Sequence, residues 1–360
     1  MKKIGLIILA AFLGLIAYLL FWPVKIAPVA WEAPINRGYT GAFAPNTDLA
    51  NLERLSIGDA HGPEDIAIRD NIAYVSSQEG AILRIDLASK DVGEFARTSG
   101  VPLGLEFDAD GHLIVADAYR GLLSIAPNGE VTTLTNSVNN TPIKYADDVD
   151  IADDGVIYVS DASTKFGAEE VQSTMAASLL EIMEHGQTGR VLAYNPADQT
   201  TRIVADGYSF ANGIAVHTDG DVLVVETGKY RVLKVDPVTG KQSVFIDNLP
   251  GFPDNINRGP ADANGNATFI LGLISVRSDF LDEQAGNPFM RKLAMRLPAS
   301  MRPKAVPYGH IVHLAADGSV IRTWQDPSGD YIDATGGIIH DDYLYVSSLH
   351  ATELGRKQLK

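Results

Sequence analysis

The chain has 360 residues, an apolar fraction of 46% that suffices for a large core, and a formal net charge of −16. An acidic chain of this kind offers no basic stripe for a phosphate backbone, so nucleic acid is not an expected partner. It contains no cysteine, which excludes disulfides, thiolate metal sites and cysteine nucleophiles together.

Residues Ile4 to Trp22 carry no charge, and a helix of that length spans roughly 28 Å, close to the thickness of a bilayer core. Lys2 and Lys3 precede the run and Pro23 follows it. The stretch exceeds the apolar region of a cleavable leader, so residues 1–23 are expected to form an uncleaved single-pass anchor. The positive flank predicts a cytoplasmic N-terminus and a body on the periplasmic or extracytoplasmic side. Residues 24–48, rich in Pro, Ala and Gly, read as a tether and lead-in, and residues 49–360 as the folded body.

Within that body a small or polar pair runs six times into an apolar strand, a turn and a second apolar strand. The pairs are Glu64-Asp65, Leu103-Gly104, Asp147-Asp148, Asn212-Gly213, Asp254-Asn255 and Gly336-Gly337, at intervals of 39, 44, 65, 42 and 82 residues. Three intervals sit near the length of a four-stranded propeller blade. Asp110-Gly111, Asp154-Gly155, Asp219-Gly220 and Asn264-Gly265 supply the positive φ that tight hairpins need. The expected fold is therefore all-β, a six-bladed β-propeller behind one N-terminal transmembrane helix, with the segment around Leu52 to Ile57 closing the last blade. The two long intervals hold insertions around Thr164 to Gly189 and Val276 to Lys304. Both contain helix-like spacing, at Ala168 to His185 and Phe280 to Leu297. Each follows the second strand of its blade, so both are expected as helical lids over the face that carries the polar pairs.

On such a fold Glu64, Asp147, Asn212 and Asp254 converge at the central channel, with Asp65, Asp148 and Asn255 one residue further along. Two like charges about 4 Å apart repel by roughly 4 kcal/mol at an effective dielectric of 20, so either the carboxyls hold protons or a cation sits among them. No His or Cys stands at these positions, which disfavours zinc. Carboxylate and amide oxygens suit a hard cation, calcium ahead of magnesium. For any one pair taken alone, the competing role is a strand cap bonded to backbone amides.

The phrases GPEDIAI (62–68), YADDVDI (145–151), FANGIAV (210–216) and GFPDNINR (251–258) resemble the strictosidine-synthase-like six-bladed propellers, which include the adipocyte plasma-membrane-associated proteins. Paraoxonases and gluconolactonases are more distant relatives. The stretches PYGHIVHL…DGSVIRTWQDPSG (307–329) and FMRKLAMRLP (289–298) are similar to the membrane-associated branch. The resemblance covers roughly residues 45–360. In the hydrolytic relatives a channel calcium is held by Glu, Asn, Asn and Asp. This implies Glu64, Asn212, Asp254 and Asn255 as ligands, with Asp147 standing where the family has the remaining Asn. A second calcium, as in paraoxonases, would correspond to Asp65 and Asp148. The implied activity is calcium-dependent hydrolysis of a small-molecule ester or lactone, with Asp254 as catalytic base or nucleophile. The paraoxonase histidine base falls near Leu103 and is missing.

His350, after the second strand of the last blade, and His61, before the Glu64 strand, are candidate bases or channel-mouth groups; Tyr119 is a candidate pocket residue. For amine–aldehyde condensation of the strictosidine synthase type, the resemblance implies a catalytic glutamate within Asp330 to Thr335, where only Asp330 and Asp333 are acidic. The alternative of a different class is a non-catalytic, membrane-tethered binding propeller with structural calcium. Fully protein-saturated coordination would mark that alternative.

Overall fold

The computed structural model describes residues 2–359. Six four-stranded antiparallel sheets form a propeller. From the channel outward, blade 1 is Ile66–Arg69, Ile72–Ser76, Ala81–Asp86 and Val92–Arg97; blade 2 is Pro102–Phe107, Leu113–Asp117, Gly121–Ile125 and Val131–Thr135. Blade 3 is Ala146–Ile151, Ile157–Asp161, Gly189–Asn195 and Thr200–Tyr208; blade 4 is Ala211–Val216, Val222–Glu226, Arg231–Val235 and Gln242–Ile246. Blade 5 is Gly251–Gly259, Thr268–Val276, Gly309–Ala315 and Val320–Asp326. Blade 6 takes Ala334–His340, Tyr343–Ser348 and Glu353–Gln358 from the C-terminus and Glu53–Ser56 from the start of the body, which closes the ring as the sequence predicts.

The burial pattern explains why the strands are recognisable. Second strands such as Leu113–Asp117, Ile157–Asp161 and Val222–Glu226 are buried at every residue, because neighbouring blades cover both faces. Outermost strands such as Val92–Arg97 are largely exposed or half-buried. The core is a ring of clusters between blades. Ile82, Leu105, Val115 and Leu123 pack between blades 1 and 2, and Val191, Ile214, Val224 and Leu233 between blades 3 and 4.

Both insertions are second-to-third-strand loops. The first holds helices α2 (Ala168–Val171) and α3 (Thr174–Glu184), where the sequence predicts one continuous helix. The break has a local cause: Gln172 adopts a left-handed conformation at φ 57°, and the Ser173 side chain accepts from Ala176 N to start α3. The second holds α4 (Asp279–Glu283) and α5 (Pro288–Ala294).

An N-terminal helix, Lys2–Phe21, precedes the body, and none of its apolar window is buried against it. It is the one helix among the described residues long and apolar enough to cross a membrane. Residues read as a tether dock onto the lids. Ile26 is buried with Phe166, Leu180, Met183 and Ala294, Val29 N donates to Glu184 O at 2.8 Å, and Trp31 stacks on His185 at 4.1 Å.

Candidate functional site

The innermost strands do not run straight at their entry into the channel. Ladder register shifts between Pro102 and Leu105, Ala146 and Val149, Ala211 and Ile214, Pro253 and Ile256, and Ala334 and Gly337. Four of the shifts fall on the small or polar pair of their blade and the fifth one residue ahead of it. Such bulges bend a strand and re-aim its side chains, and they concentrate beside functional sites. In blade 6 the bulged pair is Thr335-Gly336, one residue earlier than the sequence alignment puts it. Gly213 is required here, because a Cβ would lie 2.6 Å from Asp254 O and from Ile256 N.

Glu64, Asp147, Asn212 and Asp254 come together in the floor of a cavity of about 810 Å³. They are 3%, 4%, 3% and 6% exposed, and Asn255 behind them is fully buried. Asn212 Nδ2 donates to Asp254 Oδ1 at 2.5 Å and to Thr227 Oγ1 at 3.1 Å. Asn255 Nδ2 donates to Glu64 Oε1 at 2.9 Å and to Glu64 O at 3.1 Å. Both amide nitrogens are thereby committed to neighbours. Four buried oxygens are left without a partner: Glu64 Oε2, Asp147 Oδ2, Asn212 Oδ1 and Asn255 Oδ1. Unsatisfied buried acceptors are costly, by about 1–3 kcal/mol each, and four in one place, from four blades, form a donor set for a cation.

Burial is the largest cause pushing the Glu64 and Asp147 carboxyls well above the ordinary range, with repulsion from Asp254 adding to each. Asp254 is raised to about 7 by burial and by Asp333, against the stabilising hydrogen bond from Asn212. The residues therefore fit a hard cation. Among the described residues no three His, Cys, Asp or Glu side chains make a metal group by themselves, so such an ion needs the two amide oxygens as well.

Asp65 and Asp148 sit differently. Asp65 accepts from Leu105 N at 2.9 Å and from Asn257 Nδ2 at 3.2 Å. Asp148 accepts from Val149 N at 2.8 Å and from Ile214 N at 2.7 Å. Both carboxylates thus join one blade to the next through a backbone amide, the strand-capping role weighed for single pairs. Asp150 repeats the pattern toward Val216 N at 2.7 Å.

The remaining candidates are peripheral. His350 pairs with Asp333 at 2.8 Å, and it is Asp333, not the imidazole, that lines the cavity. His61 is half-exposed and paired with Glu79. Tyr119 packs at the edge of the apolar cluster beneath the first lid and does not line the cavity. Sequence reasoning missed Tyr145 and Thr227 as cavity residues. Thr227 follows the second strand of blade 4, and its hydroxyl donates to Pro253 O at 2.7 Å, which ties blade 4 to blade 5 beside Asp254. A position just past the second strand, on the lid face, is the signal that could have found it.

The lids make the walls. Met175, Leu179, Ile182 and Met183 of α3 face Leu281, Met295 and Arg302 of the second insertion across the cavity, above Leu103, Phe210 and Phe252. Arg291 locks the arrangement. It is fully buried, and its guanidinium donates to Met183 O at 3.2 Å, to Ala285 O at 3.2 Å and to Val29 O.

The family profile for strictosidine synthase matches residues 147–249, and that for the N-terminal part of strictosidine synthase-like proteins matches residues 41–85. Strictosidine synthase-like protein 6 of Arabidopsis thaliana is 30% identical, over 86% of this chain and 82% of its own. The chain belongs to the strictosidine synthase-like family. The adipocyte plasma membrane-associated protein of Danio rerio is 29% identical over 99% of this chain and 91% of its own. Among solved structures, a gluconolactonase from Xanthomonas campestris superposes with a TM-score of 0.61 at 16% identity, over 93% of this chain and 98% of its own. A regucalcin from Agrobacterium tumefaciens, described as a calcium-binding protein, superposes with a TM-score of 0.58 at 15% identity, over 86% and 94%. At these identities the likeness is one of fold.

Proposed function

We propose that this protein is a calcium-dependent hydrolase of an ester or lactone, anchored to a membrane by its N-terminal helix. The observation that carries the reading is the set of four unpartnered buried oxygens, three on residues that line the largely apolar cavity with Asp254 and one on Asn255 behind them. Glu64, Asp147, Asn212, Asp254 and Asn255 would hold the ion. A bound calcium would supply Lewis acidity at a substrate carbonyl and stabilise negative charge developing on its oxygen.

The chain's own residues supply the rest. Asp254, held by the Asn212 amide beside the proposed ion, is placed to take a proton from the attacking water. Asn212 fixes the rotamer of Asp254 through Oδ1. The apolar lid walls exclude bulk water and accommodate the acyl or ring portion of a substrate. Water adds its oxygen to the carbonyl carbon, the ester C–O bond breaks, and the leaving alkoxide receives the proton. The fold shared with a gluconolactonase supports this class. Lys2 and Lys3 before the apolar helix support a cytoplasmic N-terminus, with the propeller on the extracytoplasmic side.

The test is initial rates on aryl esters and lactones with the full-length protein, in calcium and after chelation. Turnover that is lost on chelation and restored by calcium supports the hydrolase. No turnover on either class, with calcium still bound, moves the assignment to a binding propeller with a structural ion.

A further inference from the structure

We infer that the cavity rim formed by the second lid docks on an anionic lipid bilayer surface, so that the cavity mouth opens onto headgroups instead of bulk water. The inference needs the N-terminal helix to span a membrane and does not need the protein to be a hydrolase.

The first observation is where the helix ends. Arg296, in the second lid, donates from Nε to Trp22 O at 2.7 Å and from Nη1 to Leu19 O at 3.0 Å, and Tyr18 Oη donates to Arg296 O at 2.9 Å. These are the orphan carbonyls of a helix C-terminus, capped here by a residue 274 positions away. The next residue toward the N-terminus, Met295, lines the cavity. A helix that leaves the bilayer at Trp22 therefore delivers the cavity wall to the membrane surface.

Charge is the second observation. From Gln284 to Val306 the chain has five basic residues and no acidic one, within a protein of net charge −16. Arg291 and Arg296 are buried in the contacts above, while Lys292, Arg302 and Lys304, with Lys25 just past the anchor, make no ion pair among the described residues. The acidic residues of the same lid, Asp279, Asp282 and Glu283, all precede this stretch, and its unpaired cations are attracted by anionic headgroups.

Apolar side chains complete the surface. Phe289 is 50% exposed, Met301 65% and Val306 57%, all within this one basic segment, and Trp22 is 57% exposed at the helix end. Apolar and basic groups on one exposed strip are what seat a peptide segment at a membrane interface. Ala299, Arg302, Pro303, Lys304, Ala305 and Val306 also line the cavity, so the strip and the rim are one feature.

The absence of native cysteine makes single labels clean. Met301→Cys, Val238→Cys and Leu13→Cys variants of the full-length chain carry an environment-sensitive fluorophore and are reconstituted in liposomes containing phosphatidylglycerol and interfacial spin-labelled lipid. Val238 is a fully exposed control on a third-to-fourth-strand turn of blade 4, which lies on the opposite face. Quenching at position 301 is expected to exceed that at 238 at least threefold, and to fall toward it in purely zwitterionic liposomes or at high salt. Adding Lys25→Glu, Lys292→Glu and Lys304→Glu should have the same effect; Arg302 is left in place because it holds Leu297 O and Met295 O. Strong quenching at 13 with none at 301 beyond that at 238 overturns the docking while leaving the anchor intact, including the case in which a second copy covers the rim. Quenching at 301 that ignores lipid charge and salt overturns the electrostatic basis.

Discussion

Asn212 holds Asp254 by a single amide hydrogen bond of 2.5 Å while its own carbonyl oxygen stays buried and unpartnered. One side chain thus both stabilises the ionised form of the proposed base and offers an oxygen to a cation. Asn212→Ala removes both. The lost hydrogen bond is one that lowers the Asp254 value, so in the calcium-free protein the Asp254 carboxyl is expected to titrate at higher pH. Calcium affinity should drop in parallel. A carboxyl titration followed by NMR in chelator, together with calorimetric calcium titration, checks both effects.

Asp254→Asn keeps the shape and removes the charge. Hydrolysis is expected to fall by about 10²- to 10⁴-fold, the usual worth of a positioned base, while the propeller still unfolds cooperatively. Retention of full activity in Asp254→Asn would end the assignment of this residue.

Without calcium, stability should depend on pH in an unusual direction. Asp254 is raised to about 7, and Glu64 and Asp147 are also raised. Between the ordinary carboxylate value and the folded one, the folded chain holds more protons than the unfolded chain. That contribution is complete below the ordinary value and is lost as pH rises through about 7. In chelator, Tm is expected to fall from about pH 5 to about pH 8. Calcium binds the ionised carboxylates, so it should flatten or reverse that fall. At free calcium about 100 times Kd, binding adds about 2.7 kcal/mol, a rise of several degrees readable by scanning calorimetry.

Asp148 separates a staple from a second metal site. Its oxygens already accept Val149 N and Ile214 N, so Asp148→Ala leaves a buried amide between blades 3 and 4 unpaired. A loss of about 2–4 kcal/mol is expected, with the calcium stoichiometry unchanged at one. A variant that loses one of two bound calcium ions would show that Asp148 is a ligand.

Arg291→Met should loosen both lids and the segment that follows the anchor without disturbing the blades, because the guanidinium bonds only to their carbonyls. Hydrogen exchange is expected to accelerate in residues 24–35, 174–185 and 279–297. Unchanged protection there would show that apolar packing alone holds the lids.

Much of this arrangement was legible in the chain. The repeat placed Glu64, Asp147, Asn212 and Asp254 at equivalent strand starts, and strand periodicity is local enough to survive in sequence. The two insertions declared themselves as breaks in that period. The break at Gln172 was not visible, because Ala168 to His185 satisfies helical spacing on both sides of a single left-handed residue. Nor was the docking of residues 24–35, whose Pro- and Ala-rich composition reads as a linker until Ile26 and Trp31 find α3 and His185.

The sequence by itself determined six blades, their closure by Glu53–Ser56, the apolar helix, and the polar pairs at the strand entries of blades 1, 3, 4 and 5. These follow from short apolar runs repeated at blade-length intervals, from turn chemistry and from helix length, signals that each act within a few residues. Tertiary structure alone decided the fate of each member of a pair. Asp147 and Asp148 are adjacent and chemically identical, yet Asp147 keeps a buried free oxygen in the channel and Asp148 is satisfied by an amide of blade 4. That difference comes from the bulge, which turns neighbouring side chains in different directions, and from amides supplied by a blade more than sixty residues away. The link between helix end and cavity wall through Arg296 is of the same kind, a contact across 274 positions that no local pattern encodes.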